Sequence, residues 1–117
     1  MDTSNEEKFL EYVFKETKLT NLKWQEINIE RYISPYGRIL GKIYETELKG
    51  KKLLIYRFTN YVNLNRSNIV DKIKLEITDL NYNSEYEIYD NNFLPLIYDS
   101  IRYKNSDIES YLNSFAV

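Results

Sequence analysis

The chain contains no cysteine and no histidine among its 117 residues. Without cysteine there is no disulfide framework and no thiol nucleophile, so packing alone must hold the fold. Without histidine, the commonest general base near neutral pH and a usual ligand of zinc are missing as well. We therefore predict a non-catalytic, cytoplasmic protein with no catalytic residues, no metal site and no cofactor.

Glycine and proline are scarce, with three and two residues, which argues against a disordered or fibrous chain. Gly37, Gly41 and Gly50 are not spaced as a dinucleotide fingerprint or a phosphate-binding loop. No apolar run approaches the roughly 20 residues of a membrane span, and the start of the chain is polar. We expect residues 1–117 to form a single domain with one core, without a membrane partner.

The charges are nearly balanced, with 16 basic and 18 acidic residues and a formal net charge of -2. A protein that binds nucleic acid normally presents a basic face, so this balance argues against such a partner. Glu45 and Glu47 share one strand face at a spacing that is ordinary for a solvated strand. An enzyme that uses carboxylate, lysine or tyrosine groups remains an alternative to a binding protein.

Apolar residues at spacings of three and four predict a helix from Ser4 to Thr17. Near the other end, Asn92 is the predicted N-cap of a second helix, and Ser106 with Glu109 forms a predicted capping box for a third. Trp24 is expected to anchor the first helix to the sheet. The predicted apolar positions of the two C-terminal helices are Leu94, Ile97, Tyr98 and Ile101, and then Ile108, Tyr111, Leu112 and Phe115.

Alternating apolar residues between these helices predict about five strands. The first lies within Leu22–Ile33, where the apolar phase shifts around Gln25-Glu26 and suggests a β-bulge or a break. The others are predicted at Arg38–Leu48, Lys52–Thr59, Ile69–Ile77 with one wet face that includes Lys74 and Glu76, and Glu85–Tyr89 with Tyr86 and Ile88 facing inward. The fold class is therefore α+β: an N-terminal helix, an antiparallel sheet or partly closed barrel of about five strands, and two short C-terminal helices.

The strands at 38–48 and 52–59 carry apolar or aromatic residues on both faces. Helices on one side cover only one face. The second face can close on itself as a barrel, pack against another copy, or bind a ligand. We predict that the protein forms a homo-oligomer through it.

Tyrosine, arginine and asparagine cluster at a turn, 34–37, and a long loop, 60–68, which a meander would place at the same end of the sheet. Tyrosine rings can stack on a base, arginine can hold a phosphate with two hydrogen bonds, and asparagine can bind a base edge. This combination suits a small nucleotide-like ligand. The predicted ligand-binding residues are Arg31, Tyr32, Tyr36, Arg38, Arg57, Tyr61, Asn65 and Arg66.

The step from the first helix through Thr17-Lys18-Leu19-Thr20-Asn21-Leu22-Lys23-Trp24, and the segment Leu94-Pro95-Leu96-Ile97-Tyr98-Asp99-Ser100-Ile101, resemble a pattern of small bacterial and phage accessory proteins. Such proteins include immunity proteins, antitoxins and inhibitors of bacterial defence, so the resemblance implies stoichiometric binding. Our hypothesis is a bacterial or phage protein that captures a ligand or a bacterial protein, in its sharpest form a phage anti-defence protein that sequesters a nucleotide-derived signal. A protein inhibitor or an immunity or antitoxin module is the alternative.

Overall fold

The computed structural model describes residues 3–33, 37–61 and 69–116. The elements are α1 (Thr3–Lys18), β1 (Gln25–Ile27), β2 (Gly37–Leu48), β3 (Lys51–Tyr61), β4 (Ile69–Thr78), β5 (Ser84–Ile88), α2 (Phe93–Asn105) and α3 (Ile108–Asn113). The strands form one open antiparallel sheet in chain order. The α+β class and the antiparallel sheet are confirmed. Within the described ranges, no helix is long and apolar enough to cross a membrane.

Helices α1 and α2 contact each other and cover the same face of the sheet, which we call the helix face. Leu10 and Val13 of α1 are fully buried there, as the helical spacing of apolar residues predicts. Trp24 is 7% exposed, and its indole Nε1 donates a hydrogen bond of 3.0 Å to Oγ1 of Thr17, the last buried residue of α1. The predicted role of Trp24 as an anchor is confirmed.

The four apolar positions predicted for α2 are all buried in the same core, and from β5 Ile88 is buried while Tyr86 packs against it. Asn92 is the N-cap residue, as predicted, but its side chain makes no capping hydrogen bond; instead, Oδ1 of Asn91 accepts a hydrogen bond of 2.9 Å from the backbone N–H of Phe93. The N-cap of α3 is Asp107, so Ser106 is not at the cap position that the predicted capping box required. Oγ of Ser106 accepts a hydrogen bond from the backbone N–H of Ile108. All four predicted apolar residues of α3 are exposed.

The opposite face of the sheet, the second face, is covered by the chain itself. Its apolar cluster consists of Ile43, Leu54, Tyr56 and Phe58, and the residues packed on it are Ile27, Ile29, Ile33, Ile39 and Tyr82. The segment 28–33, which follows β1, therefore lies over this face. The sequence predicted correctly that this face is dry. The coverings predicted for it were closure of the sheet into a barrel, another copy and a ligand, whereas segment 28–33 of the same chain packs on it.

This second core also explains the shift of apolar phase after Trp24. The prediction of a β-bulge or a break at Gln25-Glu26 is wrong, because β1 pairs with β2 in an unbroken register from Gln25↔Glu45 to Ile27↔Ile43. Trp24 belongs to the helix-face core and Ile27 packs on the second-face cluster. Successive residues point to opposite faces of the sheet, and apolar residues on the two faces fill two different cores. The strand ends at Ile27.

The irregularity of the sheet lies in β2 instead. Leu40 pairs with Arg57 and Tyr44 with Ile55, so residues 41–43 stand opposite a single residue of β3, Tyr56. Gly41 opens this bulge with a φ of 74°, in the left-handed region that glycine tolerates best. The bulge changes the course of β2 where it passes beneath α2.

Candidate ligand-binding cleft

A network of charged side chains occupies the second face beside its apolar cluster. Nη2 of Arg31 lies 2.8 Å from Oε2 of Glu76, and its Nη1 donates to the backbone oxygen of Tyr82 at 2.8 Å. The hydroxyl of Tyr56 donates to the same Glu76 carboxylate. The prediction that Lys74 and Glu76 form a wet face is wrong: their residues are 4% and 3% exposed, because Arg31 and the surrounding rings cover them.

The ammonium group of Lys74 is enclosed by three aromatic rings. Its Nζ lies 5.5, 5.8 and 5.3 Å from the ring centroids of Tyr56, Phe58 and Tyr89, distances suited to cation–π attraction. Nζ also donates to the carboxylate of Glu87 at 3.1 Å, which in turn accepts a hydrogen bond of 2.6 Å from the Tyr89 hydroxyl. The lysine is therefore fully engaged within the protein.

A second part of the network surrounds Glu45, which is 6% exposed although its spacing from Glu47 suggested an ordinary solvated position. Burial alone would raise the pKa of Glu45, but hydrogen bonds from Tyr82 and Gln25 and the charge of Lys52 outweigh it, and the pKa is lowered. The Tyr82 hydroxyl donates at 2.7 Å and the Gln25 amide at 3.0 Å. In the described part of the chain, no buried side-chain polar atom lacks a hydrogen-bond partner. The network therefore offers no open group to a ligand.

The structure divides the predicted ligand-binding residues between the two faces. Arg31 belongs to the second-face network, whereas Arg57 lies on the helix face, where it makes two hydrogen bonds to Asp71, so the two arginines do not share a site. Tyr32 is 78% exposed, and Arg38 is exposed on β2. The backbone of Tyr61 pairs with Ile69, but its side chain is outside the described residues, as are Tyr36, Asn65 and Arg66.

Gly37 pairs with Asn60, so the start of β2 and the end of β3 lie at the same end of the sheet. The turn residues 34–36 and the loop residues 62–68 themselves fall outside the described residues. Binding of a ligand at that end of the sheet stays a prediction.

A cleft of about 620 Å³ lies between the second half of α2 and the strands β1 to β3. Its size is within the range of roughly 300–1,000 Å³ that is typical of small-ligand sites. Residues of the β2 bulge line it, and Arg57 lines it as the one predicted ligand-binding residue among those whose side chains the structure describes. Its other lining residues include Leu40, Gly41, Tyr44, Tyr98, Asp99, Arg102, Tyr103 and Asn105.

Two buried tyrosines present unpartnered hydroxyls to this cleft. Tyr44 and Tyr98 are 6% and 4% exposed, and their rings meet edge to face with centroids 6.0 Å apart. Neither hydroxyl makes a hydrogen bond to any described residue. Every described side-chain polar atom that is buried does have a partner, so both hydroxyl oxygens must be accessible to solvent. Both residues line the cleft, so a molecule bound there can reach them. The Tyr98 hydroxyl lies 3.7 Å from the position that a Cβ on Gly41 would take.

Two guanidinium groups act electrostatically on the Tyr98 hydroxyl. Burial raises the pKa of Tyr98, while the positive charges of Arg102 and Arg57 pull it down. Arg102, one helical turn after Tyr98, is exposed, and its Cζ lies 5.6 Å from the centroid of the Tyr98 ring. It forms no ion pair with any described residue. The cleft thus brings together hydrogen-bond donors that the protein leaves available.

Sequence reasoning placed Tyr98 in the core and gave Arg102 no role. The burial of the Tyr98 ring agrees with the helical pattern, but the pattern does not show that its hydroxyl meets a cavity. An isolated glycine inside an otherwise regular strand indicates a bulge or a close approach of another group. Gly41 was such a signal, and it marks the floor of the cleft.

Comparisons of the chain with protein-family models, with curated proteins and with solved structures find no match. Among the residues that the structure describes, acidic side chains do not gather in a group of three or more that could hold a metal ion. Function has to be inferred from the geometry of the chain itself.

Proposed function

We propose that this chain is a non-catalytic binding protein that captures a small ligand stoichiometrically in the cleft between α2 and the β2 bulge. The observation that carries the proposal is the pair of tyrosines, Tyr44 and Tyr98, whose residues are buried and whose hydroxyls make no hydrogen bond to a described residue. A hydroxyl that is held in place by a buried ring and left open at a cavity of ligand size can form a hydrogen bond with a bound molecule.

The chemistry of the cleft supports capture rather than turnover. Its lining offers arginine and lysine charges and tyrosine hydroxyls, which can orient and hold a ligand. The two lining carboxylates are not paired for acid–base work on a shared substrate: Glu26 is ion-paired with Lys42 at 2.8 Å, and Asp99 is exposed on α2. A phage anti-defence protein that removes a signal molecule by stoichiometric binding needs a cleft that holds the ligand and needs no catalytic groups.

Backbone amide spectra can test the proposal directly. The Gly41 amide reports on the cleft floor, and the Gly50 amide, in the β2–β3 turn with nothing within 4 Å of its missing Cβ, serves as a distant control. We would titrate the full chain with nucleoside phosphates, sugar phosphates, carboxylic acids, amines and neutral heterocycles. We expect one class to shift Gly41 but not Gly50, with one site per chain in calorimetry.

Mass spectrometry of the same mixtures after long incubation should recover the ligand unchanged. If a bound compound were converted to a product, the enzyme alternative would replace this proposal. If no class of compound shifted Gly41, capture in the cleft would be refuted.

Helix α3 supports a second candidate, binding of a protein partner as an inhibitor or an immunity or antitoxin-type module. Tyr111, Leu112 and Phe115 are 58%, 52% and 68% exposed, and every residue of α3 that the structure describes is accessible. Tyr111 and Leu112 lie on α3 and Phe115 lies just after it, and such a cluster of exposed apolar residues is typical of protein-binding surfaces. Because segment 28–33 covers the second face, we also assign the predicted self-association to this helix.

Light scattering of the wild-type chain and of a Leu112→Ser, Phe115→Ser variant tests self-association. We expect a dimer or larger species that becomes monomeric in the variant. Leu19→Ser, which removes an exposed leucine outside α3, is the matched control. A monomeric wild type would remove self-association, and an oligomer that survives in the variant would remove α3 as its contact.

A further inference from the structure

The side chains that line the α2 cleft differ in how many of their hydrogen-bond donors are unused. The guanidinium of Arg57 carries five N–H donors and uses two of them on Asp71, at 3.3 and 2.6 Å. Because both carboxylate oxygens of Asp71 are engaged, the guanidinium plane is fixed in orientation. Arg57 makes no other hydrogen bond to a described residue, so within the described part of the chain three donors of this oriented group are not used.

Arg102 is held in a different way. Its guanidinium lies over the Tyr98 ring, and no described carboxylate neutralises it. Asp99, on the same helix, is exposed at the margin of the cleft. Arg57, Tyr98 and Arg102 all line the cleft, and the charges of both arginines act on the Tyr98 hydroxyl, so a ligand with several acceptor atoms and a negative charge fits there.

Two other lining residues of α2 are different in character. The ring of Tyr103 lies on the wall, is 46% exposed and has no aromatic partner among the described residues. Asn105 donates through Nδ2 to the backbone oxygen of Trp24 at 2.7 Å, which fixes its amide and leaves its Oδ1 as an acceptor. An exposed ring that lines the cleft can stack on a flat heterocycle, and a fixed amide oxygen in the same lining can accept a hydrogen bond from it.

We infer that the ligand of this cleft is a phosphate ester of a planar heterocycle, a nucleoside phosphate in its simplest form, with its phosphate bound by Arg57, Arg102 and the Tyr98 hydroxyl. This inference rests on the proposed capture function and adds the ligand class and the orientation of the ligand. It also moves the nucleotide site away from the end of the sheet that bears Arg38, where the sequence suggested it.

Titration with three related probes separates the two halves of the ligand. Adenosine 5′-monophosphate carries both parts, adenosine lacks the phosphate and ribose 5-phosphate lacks the ring. We expect the monophosphate to shift the Gly41 amide and to bind at least about tenfold more tightly than either fragment, since a hydrogen bond to a charged group contributes roughly this factor or more.

Variants locate the phosphate. Arg102→Ala and Tyr98→Phe should each weaken binding of the monophosphate by about tenfold or more, and should not weaken binding of adenosine. The melting temperature of Tyr98→Phe should stay near that of the wild type, because no protein group loses a hydrogen bond. Arg38→Ala removes the same charge as Arg102→Ala outside the cleft and should leave the affinity unchanged.

Three outcomes would overturn the inference. Equal affinity for adenosine and its monophosphate would refute the anionic class while leaving capture in the cleft intact. A loss of affinity in Arg38→Ala but not in Arg102→Ala would move the site to the end of the sheet. If neither the monophosphate nor ribose 5-phosphate shifted Gly41 while amines or neutral heterocycles did, the ligand class would be wrong and the capture function would stand.

Discussion

Substitution of Arg31 by methionine tests whether this arginine is structural. The change removes the guanidinium that pairs with Glu76, whose side chain is 4% exposed, and keeps most of the apolar stem. Breaking a buried ion pair costs about 3–5 kcal/mol because the remaining charge loses its partner. Here Nζ of Lys74, 4.0 Å from Oε1 of Glu76, compensates in part, and Arg31 itself is 15% exposed. We therefore expect the lower end, about 3 kcal/mol.

Unfolding in urea at neutral pH measures this loss directly. With an unfolding entropy of about 2.1 cal/mol/K per residue, 3 kcal/mol corresponds to a fall of roughly 12 °C in the melting temperature of a chain of this length. The matched control is Arg38→Met, at an exposed arginine of β2, for which we expect a change within about 0.5 kcal/mol.

A second substitution distinguishes loss of the ion pair from loss of packing. In the wild type, Glu76→Gln removes the charge that Arg31 requires and should destabilise the fold. In the Arg31→Met background the same change neutralises a buried carboxylate that has lost its closest cation and should stabilise the fold. If Glu76→Gln destabilised both backgrounds equally, or if Arg31→Met cost less than about 1 kcal/mol, the structural assignment of Arg31 would be refuted.

Three further perturbations follow from the same structure. The pKa values of Glu45 and Glu87 are lowered in the folded state, so their contribution to stability is complete above the ordinary value of 4.5 and is lost as pH falls through the folded values. Urea unfolding between pH 6 and 3 should show the free energy of unfolding falling with pH, and the fall should be less steep in Glu45→Gln. Gly41→Ala forces a side chain to a φ of 74° and should lower the free energy of unfolding by about 1 kcal/mol, read from thermal melts; an unchanged melt would contradict the bulge geometry. Thr17→Val removes the acceptor of the buried Trp24 indole and should cost about 1–3 kcal/mol, while wild-type stability would deny that hydrogen bond.

The elements with a strong local period could be predicted closely. The strand predicted at Ile69–Ile77 is β4 at Ile69–Thr78, and the helix predicted at Ser4–Thr17 is α1 at Thr3–Lys18. In both, one set of residues at a fixed spacing is apolar, and the period alone identifies the element. Where two cores compete for adjacent residues, as after Trp24, the same method misreads a change of core as a defect in the strand.

Burial of the charged residues could not be predicted in this way. Lys74 and Glu76 alternate with Ile73, Leu75 and Ile77, and in an isolated strand that pattern gives one dry and one wet face. Their side of the sheet is dry because segment 28–33, more than 40 residues earlier in the chain, crosses it and brings Arg31 to Glu76. Contact between segments so distant along the chain leaves no trace in a local pattern.

The same limit explains why the arginines could not be sorted from the sequence. Arg31, Arg57 and Arg102 are identical in chemistry, and what each can bind depends on how many of its donors the fold has already used. Arg31 donates hydrogen bonds to a buried carboxylate and a backbone oxygen, and Arg57 donates two to Asp71. Arg102 forms no ion pair with the described residues. A ligand anion can compete only for the donors that remain, so the capacity for phosphate binding rises from Arg31 to Arg102. Arginine in a tyrosine-rich segment therefore indicates a nucleotide site only after its carboxylate partners are known.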